Sequence, residues 1–484
     1  MPVPAPPSDS RASLRKVVTA SALGTTVEYY DFTLYATTAA LVFDKVFFPD
    51  ASPLIGTLAA FATYFVGYAA RPLGGIVFGH FGDRLGRKNI LVITMLMMGL
   101  GTFAIGLLPS YDSIGIAAPV LLVLIRLIQG LGMGGEYGGG VLMALEYSPS
   151  SRQGFFTSLV HIGTPAGVLI PVGLVSALDG VLPAGAYDSW AWRLPFLASI
   201  LLVGVGIWMR LNITESPEFV KMRKEREVQS LPVREVLTRQ PGTVAYSILA
   251  KIAESGLFNI YYVVAITYVT TELDLPKGPV LLAVLIACAV ECCTLPLFGA
   301  LSDRVGRRRV YIAGAAFQAL LAVPFFLLLQ TGQFWAYVLG MTLGLGIGHG
   351  AMYGAQGALF SNLYPVNVRY TGLSVTQQIG ATLGGGLSPL IGTALLSASG
   401  GHWSWLIVYC VGVAVVSGLA ATRLRSGEAP APDPRTVAPH LPAAPDGTAA
   451  PDGTAAPTGT AAPTVPAAST GTAAPTVTER NQAP

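Results

Sequence analysis

Glu28 and Asp31 stand three residues apart inside a long apolar run, so a helix there would present both on one face. A charged side chain at the centre of a bilayer costs at least about 2.5–3.5 kcal/mol, so each one needs a function or a partner. Two carboxylates this close repel when both are ionised, and the pair therefore readily holds one proton. That is the behaviour of a proton-coupling group, and Asp31 is the stronger candidate because it lies nearer mid-span. Arg126, Gln129, Met133 and Glu136 step by three and four along a second run and form one stripe. Arg126 keeps its charge at all accessible pH, so it requires an anion: Asp31, Glu136 or a solute carboxylate. If Arg126 pairs with ionised Asp31, protonation of Asp31 releases the guanidinium to the solute; a permanent structural Arg–acid pair is the competing reading. Lys251 and Glu254 repeat the three-residue spacing, with Phe258 and Tyr262 continuing their face and Asn259 and Tyr261 adding hydrogen-bonding groups. Glu28, Asp31 and Glu136 are thus the proton-coupling candidates, and Arg126, Gln129, Lys251, Glu254, Asn259 and Tyr261 the candidates for binding a carboxylate-bearing solute.

Other polar residues in apolar runs are less decisive. Arg71 precedes Pro72, and a structural role there weighs as much as a solute contact. His161 and His349 can titrate, but a hydrogen-bonding place in a helix wall is the more ordinary one. Gln377 and Gln378 fit either cavity or packing positions. Glu291, beside Cys292 and Cys293, has no partner that the sequence reveals.

The elements that must position these groups follow from composition. Of 484 residues 52% are hydrophobic and 11% are Asp, Glu, Lys or Arg, against about 25% charged in soluble domains. The mean hydropathy of +0.58 is spread along the chain, which excludes a soluble body on a single anchor and implies a polytopic helical membrane protein. Apolar runs long enough to span lie near 17–43, 53–80, 90–109, 118–146, 154–178, 192–211, 242–271, 279–300, 310–330, 335–361, 371–398 and 402–423. The run from Val17 is too long for a signal-peptide core and lacks a cleavage site.

Twelve helices place Arg84, Arg87, Lys88, Arg152, the basic stretch 221–239, the run 304–309, Arg369, Arg423 and Arg425 on one side. Lys45, Arg193 and Lys277 fall on the other. Basic loops stay cytoplasmic, so both termini are expected inside, in a plasma (inner) membrane. The expected layout is a cytoplasmic N-terminus 1–16, a six-helix half 17–211, a cytoplasmic connection 212–241, a second half 242–425 and a disordered cytoplasmic Ala/Pro/Thr tail 426–484. That tail repeats Pro-Asp-Gly-Thr-Ala-Ala and carries no aromatic residue, too little apolar surface to offset the entropy of ordering.

One loop occurs twice. Gly79-His-Phe-Gly-Asp83-Arg84-Leu-Gly86-Arg87-Lys88 joins the second and third helices, and Gly299-Ala-Leu-Ser-Asp303-Arg304-Val-Gly306-Arg307-Arg308 joins the eighth and ninth. Matching loops at matching places are the trace of two parallel repeats around a central cavity.

This duplicated loop resembles the signature of the major facilitator superfamily, and the resemblance covers residues 17 to about 425. It implies an all-α membrane fold of twelve transmembrane helices in two six-helix pseudo-repeats. In that family the loop Asp accepts from the loop Arg and from a helix N-terminus of the opposite half, in a cluster that breaks during alternation. Carried over, Asp83 and Arg87 form the first cluster, with Glu146 as an added acid, and Asp303 and Arg307 form the second. Residues 360–365 offer no acid where Glu146 stands, so the second cluster is expected to be the weaker. Gly24-Thr-Thr-Val-Glu28-Tyr-Tyr-Asp31-Phe, Arg71-Pro-Leu-Gly-Gly, Arg126-Leu-Ile-Gln129-Gly-Leu-Gly-Met-Gly-Gly-Glu136 and Val368-Arg369-Tyr-Thr-Gly372 are similar to the metabolite:proton symporter branch. The pair Tyr29-Tyr30 departs from it, since Trp is common there. The branch imports organic acids such as citrate, 2-oxoglutarate and shikimate, and zwitterions such as proline and betaine. Helices one, four, seven and ten line the cavity in this fold.

The expectation is therefore a proton-driven symporter of a small organic acid, with a zwitterionic osmolyte as the alternative solute. Its partners are solute, proton and the lipid bilayer, in a monomer, with no cofactor. Five scattered histidines and four cysteines buried in apolar stretches offer no metal site or membrane-enzyme centre. No soluble output domain supports a sensor, no phosphate-binding loop an ATP-driven pump, and no basic–aromatic surface a nucleic-acid partner.

Overall fold

The computed structural model describes residues 8–85, 87–134, 137–211, 232–365 and 368–424, without the side chains of 8–13, 53, 79–91, 137–138, 207–211 and 232–234. Twelve long helical rods run through these residues. The first half holds Ser8–Leu41, Pro53–Leu85, Arg87–Leu107, 117–147, 150–181 and Arg193–Leu211, numbered here helices one to six. The second holds 241–272, Lys277–Val305, Arg307–Gln330, 334–361, 369–398 and Ser404–Arg423, helices seven to twelve. Every expected span coincides with one of these rods. Helix one starts at Ser8, nine residues before the apolar run, because an apolar ruler marks what lies in lipid and not where the backbone begins to coil. Of the connection 212–241 the structure describes a short helix, Pro232–Arg239. The tail 426–484 lies outside the described residues.

Large apolar side chains such as Leu201, Leu297, Leu320 and Leu419 are exposed on the outside of the bundle, where hydrocarbon rather than water is the neighbour. Inside, small residues set the approach of the helices. A Cβ on Gly130 would stand 2.0 Å from the Gly67 carbonyl oxygen, and one on Gly134 2.0 Å from that of Arg71. Helices two and four therefore meet backbone to backbone. Helices five and eight cross between the halves in the same manner: a Cβ on Gly154 or Gly299 would lie 2.6 Å from the other's carbonyl oxygen.

Helices seven, ten and eleven each contain wide, π-type turns, at 260–264 and 268–272, 342–349, and 382–386. Such turns commonly mark functional sites, since they free backbone groups and re-aim side chains. All three helices contribute to the cavity described next.

Candidate substrate cavity and interhelical latches

A polar cavity lies between the halves. Tyr29, Phe32 and Thr33 of helix one, Tyr64, Tyr68 and Arg71 of helix two and Thr164 of helix five form one wall. Lys251, Glu254, Ser255, Phe258, Asn259 and Tyr262 of helix seven, His349 of helix ten, and Gln377 and Ala381 of helix eleven form the other. On helix seven these residues recur at helical spacing and make one continuous stripe.

Lys251 and Glu254 form a buried ion pair, as their spacing anticipates. Asn259 accepts from the Tyr64 hydroxyl at 3.1 Å and donates to the Ser255 carbonyl at 3.1 Å. Tyr261 is a correction. Its hydroxyl donates to the Gln318 carbonyl at 3.5 Å and its ring packs edge-on to Phe325, with centroids 4.5 Å apart, so it faces helix nine. Ten residues beyond Lys251 is about 280° round a helix and eleven is about 20° past three full turns, so Tyr262 shares the stripe and Tyr261 leaves it.

Helix four is the second correction. Among the described residues it contributes nothing to the cavity lining. Gln129 is committed to its neighbours: its amide donates to the Thr102 hydroxyl at 2.7 Å and the Met98 carbonyl at 3.3 Å. Arg126 donates to Gln129 Oε1 at 3.1 Å, and its guanidinium lies 4.0 Å from the Tyr35 ring centroid and 4.4 Å from that of Phe32. Its Nε and Nη2 have no hydrogen-bond partner among the described residues. Glu28 and Asp31 are buried on helix one, behind the cavity wall rather than in it. Glu136 lies outside the described residues.

Arg71 takes the place that the sequence reading gave to Arg126. Its guanidinium lies 3.7 Å from the Tyr68 ring centroid and 4.0 Å from that of Phe32, in the cavity wall. Nε and Nη2 are buried without a hydrogen-bond partner among the described residues. Gln377 also lines the cavity with Oε1 unpartnered, whereas Gln378 reaches the Gly134 carbonyl at 3.4 Å and serves packing. A buried pair of coplanar guanidinium donors, Nε and Nη2, without an acceptor among the described residues and sharing a cavity with a lysine, is suited to a carboxylate.

Glu291, for which the sequence reveals no partner, meets His349. His349 Nδ1 lies 2.5 Å from Glu291 Oε1, and Nε2 lies 3.2 Å from Glu254 Oε1. His161 does fill a wall position: its Nδ1 lies 2.9 Å from the Tyr353 carbonyl and its ring stacks on the Tyr353 ring. Among the described residues no cluster of three or more His, Cys, Asp or Glu is arranged to hold a metal.

The repeated loops are helix ends. In the second copy Asp303 and Arg304 occupy the last turn of helix eight, Gly306 turns the chain at φ 104°, and Arg307 opens helix nine. A positive φ there explains the glycine of the motif. Asp303 Oδ1 and Oδ2 accept from the backbone N–H groups of Gly154 and Phe155 at 2.8 and 2.9 Å, at the N-terminus of helix five in the other half. Arg307 Nη2 lies 3.4 Å from Asp303 Oδ1 and donates to Gln153 Oε1 at 3.2 Å, which also accepts from Asn362 at 3.2 Å. Asn362 stands three residues before Pro365, as Glu146 stands three before Pro149. An amide network thus occupies the position where no acid is found, and this latch is fully formed. In the first copy the backbone of Gly79, Asp83 and Arg84 closes helix two and Arg87 opens helix three; their side chains, and all of Gly86, lie outside the described residues. Glu146 is exposed at the end of helix four. Arg369 Nε donates to the Tyr364 carbonyl at 3.2 Å, fixing the start of helix eleven.

At the opposite end of the same two helices, Lys277 opens helix eight and lies 3.0 Å from Asp179 of helix five and 2.6 Å from Asp188 beyond it. Sequence inspection gave no role to this group.

The Major Facilitator Superfamily profile matches residues 21–377 and, in a second match, 253–462. The Shikimate transporter of Escherichia coli (strain K12) is 39% identical over 422 residues, covering 87% of this chain and 96% of the relative. The Proline/betaine transporter of Escherichia coli (strain K12) is 35% identical over 399 residues, covering 80% of this chain and 78% of the relative. The crystal structure of a D-xylose-proton symporter has a TM-score of 0.64 at 17% identity, covering 84% of this chain and 96% of that one.

Proposed function

Because the chain belongs to the major facilitator superfamily and is a multi-pass membrane transporter of small metabolites, we propose that it imports a carboxylate-bearing metabolite together with a proton. Movement is by alternating access across the inner membrane, with both termini cytoplasmic and the transporter a monomer. The observation that carries this reading is Arg71, a buried cavity cation with two nitrogens unpartnered among the described residues. A solute carboxylate supplies the missing acceptors, with Lys251, Asn259 and Gln377 within the same cavity to orient the rest of the molecule. The 39% identity to a shikimate carrier supports a monocarboxylate of that size. Asp303 and Arg307, with Asp83, Arg84 and Arg87 in the other copy, act as latches that part during the cycle. Glu28 and Asp31 remain coupling candidates behind the wall: Asp31→Asn abolishes gradient-driven uptake if the proton resides there.

A zwitterionic osmolyte is the second reading. The cavity also holds a carboxylate, Glu254, and several aromatic faces, which suit a quaternary ammonium, and a proline/betaine carrier is 35% identical. A thermal-shift screen of the purified protein against mono-, di- and tricarboxylates, shikimate, amino acids and betaines separates the two. Carboxylates are expected to stabilise, since a bound ligand at a hundred times its Kd adds about 2.7 kcal/mol. Stabilisation by betaine and by no carboxylate favours the osmolyte. In proteoliposomes, accumulation unaffected by a protonophore sinks proton coupling.

A further inference from the structure

We propose that the coupled proton resides on the chain Glu291–His349–Glu254, and that its arrival frees Lys251 for the solute. The inference rests on the proton-coupled reading above and locates the proton in that cycle.

The geometry asks for a proton. A neutral imidazole has one N–H donor and one acceptor nitrogen. Here both ring nitrogens face carboxyl oxygens, Glu291 at 2.5 Å and Glu254 at 3.2 Å. With both carboxyls ionised and the ring neutral, one nitrogen lone pair would point at an anion. One dissociable proton, on the ring or on a carboxyl, removes that conflict.

The burial of the chain makes the requirement strict. Glu291, His349, Glu254 and Lys251 are all at most 2% exposed, where an uncompensated charge is expensive. Around them stand Arg71 and Tyr29 across the cavity, and His161 and Tyr353 on the side of the ring toward helix five. Cys288 lies one turn before Glu291 on helix eight, and Tyr311 of helix nine donates to the Ala250 carbonyl beside Lys251 at 2.7 Å. Arg71 and Lys251 are the cations of this set, and Glu254 and Glu291 the anions.

The route follows from who touches the cavity. Glu291 is behind the wall, while His349, Glu254 and Lys251 line it. A proton on Glu291 Oε1 passes to His349 Nδ1 as the proton on Nε2 passes to Glu254 Oε1. One proton has then moved to the cavity and the ring has exchanged tautomers, with nothing else gained or lost. Neutral Glu254 no longer binds the Lys251 ammonium, which turns to a solute carboxylate near Arg71. Proton and monoanion entering together leave the net charge of this buried site unchanged, whereas either alone alters it by one. That difference is the coupling.

Infrared difference spectroscopy of the full-length protein in lipid, titrated with pH, reads the proton without any solute. The wild type is expected to show a titrating protonated-carboxyl band coupled to imidazole ring modes. Glu291→Gln should remove it, His349→Gln should shift it, Glu291→Asp should restore it and Asp31→Asn should leave it. Persistence of an unaltered band in both Glu291→Gln and His349→Gln overturns the assignment, as does its loss in Asp31→Asn. Proteoliposomes with shikimate as probe supply the second arm. An inward gradient of one pH unit supports about tenfold accumulation by one-proton electroneutral symport, and Glu291→Gln is expected to abolish that gain while downhill entry continues. Full accumulation by Glu291→Gln overturns the site. A proton band in a wild type that accumulates no carboxylate overturns the transport reading and leaves the proton site standing.

Discussion

Asp303, in the last turn of helix eight, accepts the backbone N–H of Gly154 in the opposite half at 2.8 Å. The second oxygen takes the next amide, that of Phe155, at 2.9 Å. A carboxylate on a helix N-terminus satisfies donors that the helix itself leaves open and meets the positive end of its dipole. Gly154 and Gly299 bring the two backbones close enough for this contact. The sequence motif is therefore a device for joining one half to the N-terminus of a helix in the other.

Asp303→Asn keeps an acceptor oxygen and removes the charge. The loss expected is about 1–2 kcal/mol of the closed arrangement at this end, or about a tenfold shift in the ratio of closed to open. Spin labels on the adjacent ends of helices five and eight measure it as a change in distance distribution. An unchanged distribution means that Gln153, Asn362 and the helix crossing hold this end without the charge.

How much of this was legible without coordinates depends on whether a relation was local. The spans follow from hydropathy, and the Lys251–Glu254 pair from its i,i+3 spacing. Helical phase alone also separates Tyr262 from Tyr261. What spacing cannot give is the rotation of one helix against another. Arg126 and Gln129 do share a stripe, but that stripe faces Thr102, Met98 and Tyr35 rather than the cavity. Glu291 and His349 stand on different helices, and nothing in either neighbourhood announces the other. The unexplained cost of burying Glu291 was the one available signal that a partner existed.

The glycine contact gives a stability prediction with an internal control. Gly130→Ala would drive a Cβ to 2.0 Å from the Gly67 carbonyl oxygen, a backbone atom that cannot step aside. Overpacking of this kind costs about 1–3 kcal/mol, so a lowered unfolding temperature in detergent is expected. Gly139, where a Cβ meets nothing within 4 Å, should accept Ala with no loss, and by helix propensity with a gain of about 0.5–1 kcal/mol. Equal losses at both positions would show that close helix approach is not the cause.

Lys277 offers a contrasting latch at the other end of helices five and eight. Its side chain is 19% exposed, and those of Asp179 and Asp188 are 29% and 33% exposed. Solvent reaches this group, so Lys277→Gln should release at most about 1 kcal/mol. The effect should shrink further as salt is raised, whereas that of Asp303→Asn, directed at backbone amides between packed helices, should depend on salt much less. Labels at this end, read at low and high ionic strength, test the difference. A large, salt-independent opening on Lys277→Gln would contradict the reading of an exposed ion pair.

Arg71 and Arg126 share the Phe32 ring, at 4.0 and 4.4 Å from its centroid, yet Arg71 alone of the two lines the cavity. Replacing each by lysine keeps the charge and removes the planar fork. At Arg71 the fork is the proposed carboxylate clamp, so Arg71→Lys should weaken carboxylate binding by about tenfold or more, the equivalent of 1.4 kcal/mol, with little change in stability. At Arg126 the guanidinium donates to Gln129 and packs over Tyr35, so Arg126→Lys should lower the unfolding temperature by the equivalent of about 1–2 kcal/mol and leave affinity within about threefold. Ligand-induced thermal shifts on both purified variants provide the two readouts in one experiment. The reverse pattern, with affinity lost at Arg126 and retained at Arg71, would return the solute carboxylate to helix four and require the wall to rearrange around Phe32 during the cycle.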